Sequence, residues 1–162
     1  MKRNCIIGCV ALLLSLCGTS AMAQRNNELM RDWDVRMGFF VPEREGSRAA
    51  EGDVWFTLGV DRTVYSADRL KASMSIDYYG SGSLYNVPIL LNLRHETHKV
   101  RLFAGAGIGI SHDMTEGKTG FAYNIGAGYA FMPGITFDAR YIGLSTGGGA
   151  LNGWAFTVGY HF

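Results

Sequence analysis

The sequence predicts an all-β fold: a closed, antiparallel, up-and-down barrel of eight strands. Three observations carry this expectation. Apolar and polar residues alternate with period two in about eight separate stretches. No charged residue falls on the apolar face of any of them. The composition, with 22 Gly, 9 Phe and 8 Tyr but only 3 Pro among 162 residues, suits strands whose backbones pack closely.

The N-terminus reads as a targeting segment rather than structure. Lys2 and Arg3 form a basic start, Cys5 to Leu16 an apolar run, and Ala21-Met22-Ala23 a small-x-small cleavage site before Gln24. Residues 1–23 are therefore expected to be a signal peptide and 24–162 the barrel domain. The apolar run is too short to span a membrane as a helix, and no later stretch reaches the required length. Cys5, Cys9 and Cys17 all lie in the segment to be removed, so the exported chain is expected to use no disulfide. Loss of Lys2 and Arg3 would take the formal charge from +1 to −1, and neither value suggests a nucleic-acid partner.

Taken in order, the strands present these apolar faces. The first carries Trp33, Val35, Met37, Phe39 and Val41; the second Val54, Phe56, Leu58 and Val60; the third Leu70, Ala72, Met74, Ile76 and Tyr78. The fourth carries Tyr85, Val87, Ile89, Leu91 and Leu93, and the fifth runs through alternate residues from Val100 to Ile110. The sixth runs likewise from Phe121 to Phe131, the seventh from Ile135 to Tyr141, and the last carries Trp154, Phe156, Val158, Tyr160 and Phe162. The opposite faces are polar, charged or small, interrupted by Phe40, Trp55, Tyr79, Leu90, Phe103 and Ile142. A small barrel's interior is a packed core, so a few bulky residues opposite glycines such as Gly105, Gly107, Gly109, Gly126 and Gly128 are expected to fill it. Tight turns are expected at Arg62–Arg69, His95–His98 and Met132–Gly134. More polar loops are expected at Pro42–Gly52, Gly80–Ser83, His112–Lys118 and Ser145–Ala150.

Alternation alone does not say which face meets lipid, since a soluble lipocalin-like barrel would turn the apolar face inward. The aromatic residues decide. Traced up and down the strands, Trp33, Tyr129, Phe131, Phe137, Tyr160 and Phe162 gather at the terminus-bearing end. Phe39, Phe56, Tyr78, Tyr85, Phe121, Tyr123, Tyr141 and Trp154 gather toward the other. Aliphatic residues lie between them. Two aromatic girdles around an aliphatic band are what two membrane–water interfaces select. A membrane barrel is expected, with Trp33, Tyr78, Tyr85, Tyr129, Tyr141 and Trp154 as girdle residues and outer-membrane lipid as the partner of the apolar face.

The signal peptide, the run Arg101-Leu102-Phe103-Ala104-Gly105-Ala106-Gly107-Ile108-Gly109, the segment Gly126-Ala127-Gly128-Tyr129 and the closing Gly159-Tyr160-His161-Phe162 resemble the OmpA/OmpX-type outer-membrane β-barrel domain. The resemblance covers essentially the whole exported chain. It implies outer-membrane residence. It also implies that Val158, Tyr160 and Phe162 form the signal read by the barrel-assembly machinery, with no peptidoglycan-binding domain after them. It specifies architecture well and activity poorly, because the fold hosts anchors, adhesins, small channels and lipid-modifying enzymes.

The interior charges, Asp34, Asp61, Asp77 and Asp138 against Arg36, Lys71, Arg94, Lys99, Arg101 and Arg140, are expected to pair into a network that fills the lumen rather than to line an ion path. No catalytic, cofactor or metal residues are expected. His95 and His98 flank Glu96 without helical metal-site spacing, and Ser111, His112 and Asp113 are consecutive, so neighbours point apart. Gly105-x-Gly107-x-Gly109 lacks the spacing and following helix of a nucleotide loop. The function expected is structural, serving envelope integrity or surface interaction. The alternatives are a narrow pore or lateral route for small apolar solutes past Trp55, Leu90 and Phe103, a lipid-modifying enzyme, or a soluble ligand-binding barrel.

Overall fold

The computed structural model describes residues 32–113, 116–146 and 151–162. The expected signal peptide and its cleavage site lie outside the described residues. Eight antiparallel strands close on themselves in the order β1-β2-β3-β4-β5-β6-β7-β8. They are β1 (Trp33–Pro42), β2 (Trp55–Ala67), β3 (Leu70–Ser81), β4 (Leu84–Glu96), β5 (Val100–Asp113), β6 (Glu116–Met132), β7 (Ile135–Leu144) and β8 (Gly153–His161). Closure comes from β1 pairing with β8, in register from Asp34↔His161 to Pro42↔Gly153. The ring of ladders therefore leaves no sheet edge along the paired length.

The period-two reading holds on every strand. Met37, Ile76, Leu93, Leu102, Ile125 and Phe137 are each more than half exposed, whereas Arg36, Ser75, Asn92, Arg101, Asn124 and Asp138 beside them are buried. The apolar face is the outside of the barrel, which removes the soluble alternative with an apolar cavity. All six bulky interruptions point inward, and Phe40, Trp55, Tyr79, Leu90 and Ile142 are 0–2 % exposed.

The connections differ from the expectation in three places. The Arg62–Arg69 turn is mostly strand: β2 and β3 stay paired to Ala67↔Leu70 through a bulge between Thr63 and Tyr65. The turn itself is Asp68-Arg69, with Asp68 at φ 48°. Thr63, Val64 and Tyr65 are strand formers, and an Asp tolerates the left-handed conformation the turn needs. The His112–Lys118 loop is also largely ladder, because pairing runs to Asp113↔Glu116. Polar composition does not interrupt a hairpin whose backbone bonds continue.

Finally, the Pro42–Gly52 loop contains a short helix, α1 (Glu45–Glu51). Glu45 sits in its first turn, where the helix dipole favours an acid, and Gly52 (φ 89°) ends it by donating to the Arg48 carbonyl at 2.8 Å. Glu51 then reaches the β3–β4 turn and accepts from Ser83 N at 2.9 Å and Ser83 Oγ at 2.7 Å. Gly82 at that turn has φ 54°, and the Glu51 carboxylate lies where its Cβ would be. Only glycine meets both demands there.

Candidate functional site in the filled lumen

Strand tilt and side-chain alternation send one residue in two into the lumen, and the inward set is sorted by height. On β1, Asp34 and Arg36 come before Phe40; on β2, which runs back, Trp55 comes before Asp61. On β3, Asp77 precedes Tyr79; on β4, Leu84 and Leu90 precede Arg94; on β7, Asp138 and Arg140 precede Ile142 and Leu144. Each of these five strands thus places its buried charges toward the terminus-bearing end and its apolar bulk toward the other. The lumen has a charged half and an apolar half.

In the charged half the predicted residues come together. Arg36 contacts both Asp61 and Asp77, with its Nη2 2.6 Å from Asp77 Oδ1. Arg140 stands 3.6 Å from Asp77 and 3.8 Å from Asp138. Arg101 donates through Nε to Asp138 at 2.8 Å and through Nη2 to Asp138 and to Thr136 Oγ1. Arg94 donates to Asp34 at 2.8 Å, and Lys71 pairs with Glu96 at 2.5 Å. His161, from the last strand, closes the set with Nδ1 3.0 Å from Asp34 Oδ1. Four buried arginines face four buried aspartates, so the buried set is balanced. Lys99, also expected on the inner face, makes no ion pair among the described residues and stays exposed.

Phe103 is the one large ring in this half. The Arg140 guanidinium lies 4.6 Å from its centroid, a cation–π contact in a desolvated setting. A Cβ on Gly126 would sit 2.6 Å from Phe103 Cζ, so this glycine makes the space for the ring. Above the charges runs a neutral relay, in which Asn124 donates to Asn92 and Asn92 to Ser75, each at 2.9 Å. No Asn or Ser among these was singled out from the sequence, although each lies on an inward position.

The apolar half is a compact plug. The Phe40 ring stacks on Tyr79 at 4.3 Å between centroids and tilts against Trp55 at 5.6 Å. Leu84, Leu90, Ile142, Leu144 and Leu151 complete it, all at most 2 % exposed. Its two polar rims are satisfied: Trp55 Nε1 donates to the Gly52 carbonyl at 2.9 Å, and Tyr79 Oη meets Asn86.

A cavity of about 190 Å³ opens at the terminus-bearing end, between Lys71, Arg94, Glu96, Lys99, Arg101 and His161. A smaller one, about 10 Å³ beside Asp61, Phe103 and Arg140, holds at most one water.

On the outside, the expected girdle residues make ring contacts near each end. Tyr78 stacks on Tyr85, Tyr123 meets Tyr141 and Tyr141 meets Trp154 edge-on at 5.5 Å; at the other end Arg62 lies 5.5 Å over Trp33. Tyr129, the remaining girdle residue, is outward and exposed, as are Val158, Tyr160 and Phe162, with the Tyr160 and Phe162 rings edge-on at 4.9 Å. Ser111 and His112 point to opposite faces: Ser111 is buried and donates to the Lys118 carbonyl, and the His112 ring packs against Tyr85. His95 is exposed on the outer face while Glu96 pairs with Lys71 and Arg94.

A closed sheet with a lipid-compatible outside and its own charges neutralised inside defines an integral membrane β-barrel. The chain belongs to the outer membrane protein beta-barrel domain family, whose sequence profile matches residues 9–162. Among solved structures it is similar to a de novo designed transmembrane β-barrel, at 13% identity and a TM-score of 0.57, covering 82% of this chain and 96% of that one. It is also similar to Ail, the attachment invasion locus protein of Yersinia pestis, at 14% identity and a TM-score of 0.50, covering 81% and 97%. Identities this low show a shared fold. No curated protein matches the sequence.

Proposed function

We propose that this protein is exported behind a cleaved signal peptide and acts in the outer membrane as a solute-tight barrel. In this reading both termini face the periplasm, the C-terminal Val158, Tyr160 and Phe162 engage the assembly machinery, and α1 with its neighbouring turns forms a firm outer surface. The work is envelope integrity or presentation of that surface, not transport and not catalysis. One observation carries the reading: the half of the lumen opposite the termini is filled by Phe40, Trp55, Tyr79 and their aliphatic neighbours at almost zero exposure. An apolar plug buried this completely passes neither ions nor small solutes without unfolding locally.

The charge network supports the same role by filling the other half with neutralised pairs. Planar-bilayer recording tests the proposal. The purified barrel should insert without discrete conductance steps; steady single-channel openings would overturn it in favour of the narrow-pore alternative. Residence is tested separately by a compact band in unboiled outer-membrane fractions that slows on boiling.

A further inference from the structure

We propose that the terminus-side mouth of the lumen is a binding site for a small phosphate-type oxyanion, with Lys99 as its principal ligand and Lys71, Arg101 and His98 as supporting donors. The cavity is large enough, since about 190 Å³ stands against the ~10–15 Å³ that one water occupies. Its chemistry is one-sided. Both carboxylates in its wall are already engaged. Asp34 receives Arg94 on one oxygen and His161 on the other, while Glu96 receives Arg94 on one and Lys71 on the other.

The donors are not used up. Lys99 Nζ and the His98 ring have no hydrogen-bond or ion-pair partner among the described residues, though both line the cavity. Arg101, which also lines the cavity, has its Nη1 3.9 Å from Asp34 Oδ2, beyond hydrogen-bond reach. Lys71 spends only one direction on Glu96. Spare donors without spare acceptors fit an anion and not a metal ion. Arg94, Arg101 and Lys71 each have a carboxylate partner, so Lys99 is the lysine of this mouth left without one among the described residues.

Arg101 adds something an exposed lysine cannot. It is nearly buried and held by Asp138 and Thr136, so its guanidinium is oriented before any ligand arrives. Preorganised, partly desolvated donors lose little entropy on binding and feel weaker screening. A tetrahedral oxyanion presents oxygens to several such donors at once, which chloride does not. The phosphate could be a dissolved solute or a lipid headgroup bending over the rim, and the two sources are separable.

The test is calorimetric titration of the full chain folded in dodecyl maltoside, a detergent without phosphate. One arm adds inorganic phosphate and the other a short-chain phosphatidylglycerol, each against chloride at matched ionic strength. Saturable heat in the first arm assigns a solute, and in the second alone a headgroup. In either case Lys99→Gln should weaken binding about tenfold, as loss of a charge-assisted bond does. Arg48→Gln at the opposite end should leave it unchanged. Lys99 holds nothing in the barrel, so the compact unboiled band should survive its replacement. Heat no different from chloride in both arms, or equal binding by Lys99→Gln, would overturn the site. Neither result bears on whether the barrel conducts.

Discussion

Toward the chain termini the lumen is held by four arginines and four aspartates, each within 4 Å of at least one opposite charge. A few residues along the same strands it is held by Phe40, Trp55, Tyr79, four leucines and Ile142, packed into one buried apolar cluster. The enclosing backbone is the same: one ring of eight strands with one alternation rule. What differs is how the interior tolerates change. Packing resists loss of volume in proportion to the cavity left behind, whereas paired charges resist the loss of either partner far more than the loss of both. The two halves should therefore fail in different ways.

The largest effects should come from breaking one charge in one half and from removing an aromatic ring in the other. Arg36→Met leaves Asp61 and Asp77 without their principal partner in a buried site, and should cost about 3–5 kcal/mol in urea unfolding from lipid vesicles. Replacing Arg101 and Asp138 together, by Met and Leu, should cost less than Asp138→Leu alone; a larger cost would mean that the pairs are not what holds that half. In the apolar half, Phe40→Ala removes the ring against Tyr79 and Trp55, and about 3–5 kcal/mol is expected.

Gly126→Ala comes next, because its methyl would press on Phe103 and on the Ala139 carbonyl at 2.5 Å. Overpacking of this kind costs about 1–3 kcal/mol, read from the same denaturation curves. Smallest should be Leu90→Met, a near volume-conserving exchange in the plug, at under about 1.5 kcal/mol. If Leu90→Met proved as damaging as Arg36→Met, the contrast between the halves would be lost.

Much of this was legible in the sequence, because a period of two is a local property: the identity of residue 37 or 93 fixes its face once the strand is placed. The inward position of Phe40, Trp55 and Tyr79 followed from the same alternation. The height sorting was also there to be read, since Asp34 precedes Phe40 on a rising strand and Trp55 precedes Asp61 on a falling one. It shows only when the charges and the bulky interruptions are placed on one strand together. Pairwise detail was not accessible. That Arg36 reaches Asp77 rather than Asp138 depends on strand register, which turn lengths fix, and the Asp68-Arg69 turn lies six residues further along than the start of the expected one. The α1 helix left signals, in Ala49-Ala50 and a Gly52 stop. Seven residues are too few for periodicity to declare them.

Closure by β1 with β8 has a consequence for how the protein is made. Asp34 meets His161, so the contact that completes the ring joins nearly opposite ends of the chain. Contacts so distant in sequence are slow to form, and until β8 arrives both β1 and β7 present open edges to any passing strand. The ring cannot close until the last strand has been made. Up to that moment the unclosed sheet carries two edges on which a second copy of the same chain can pair.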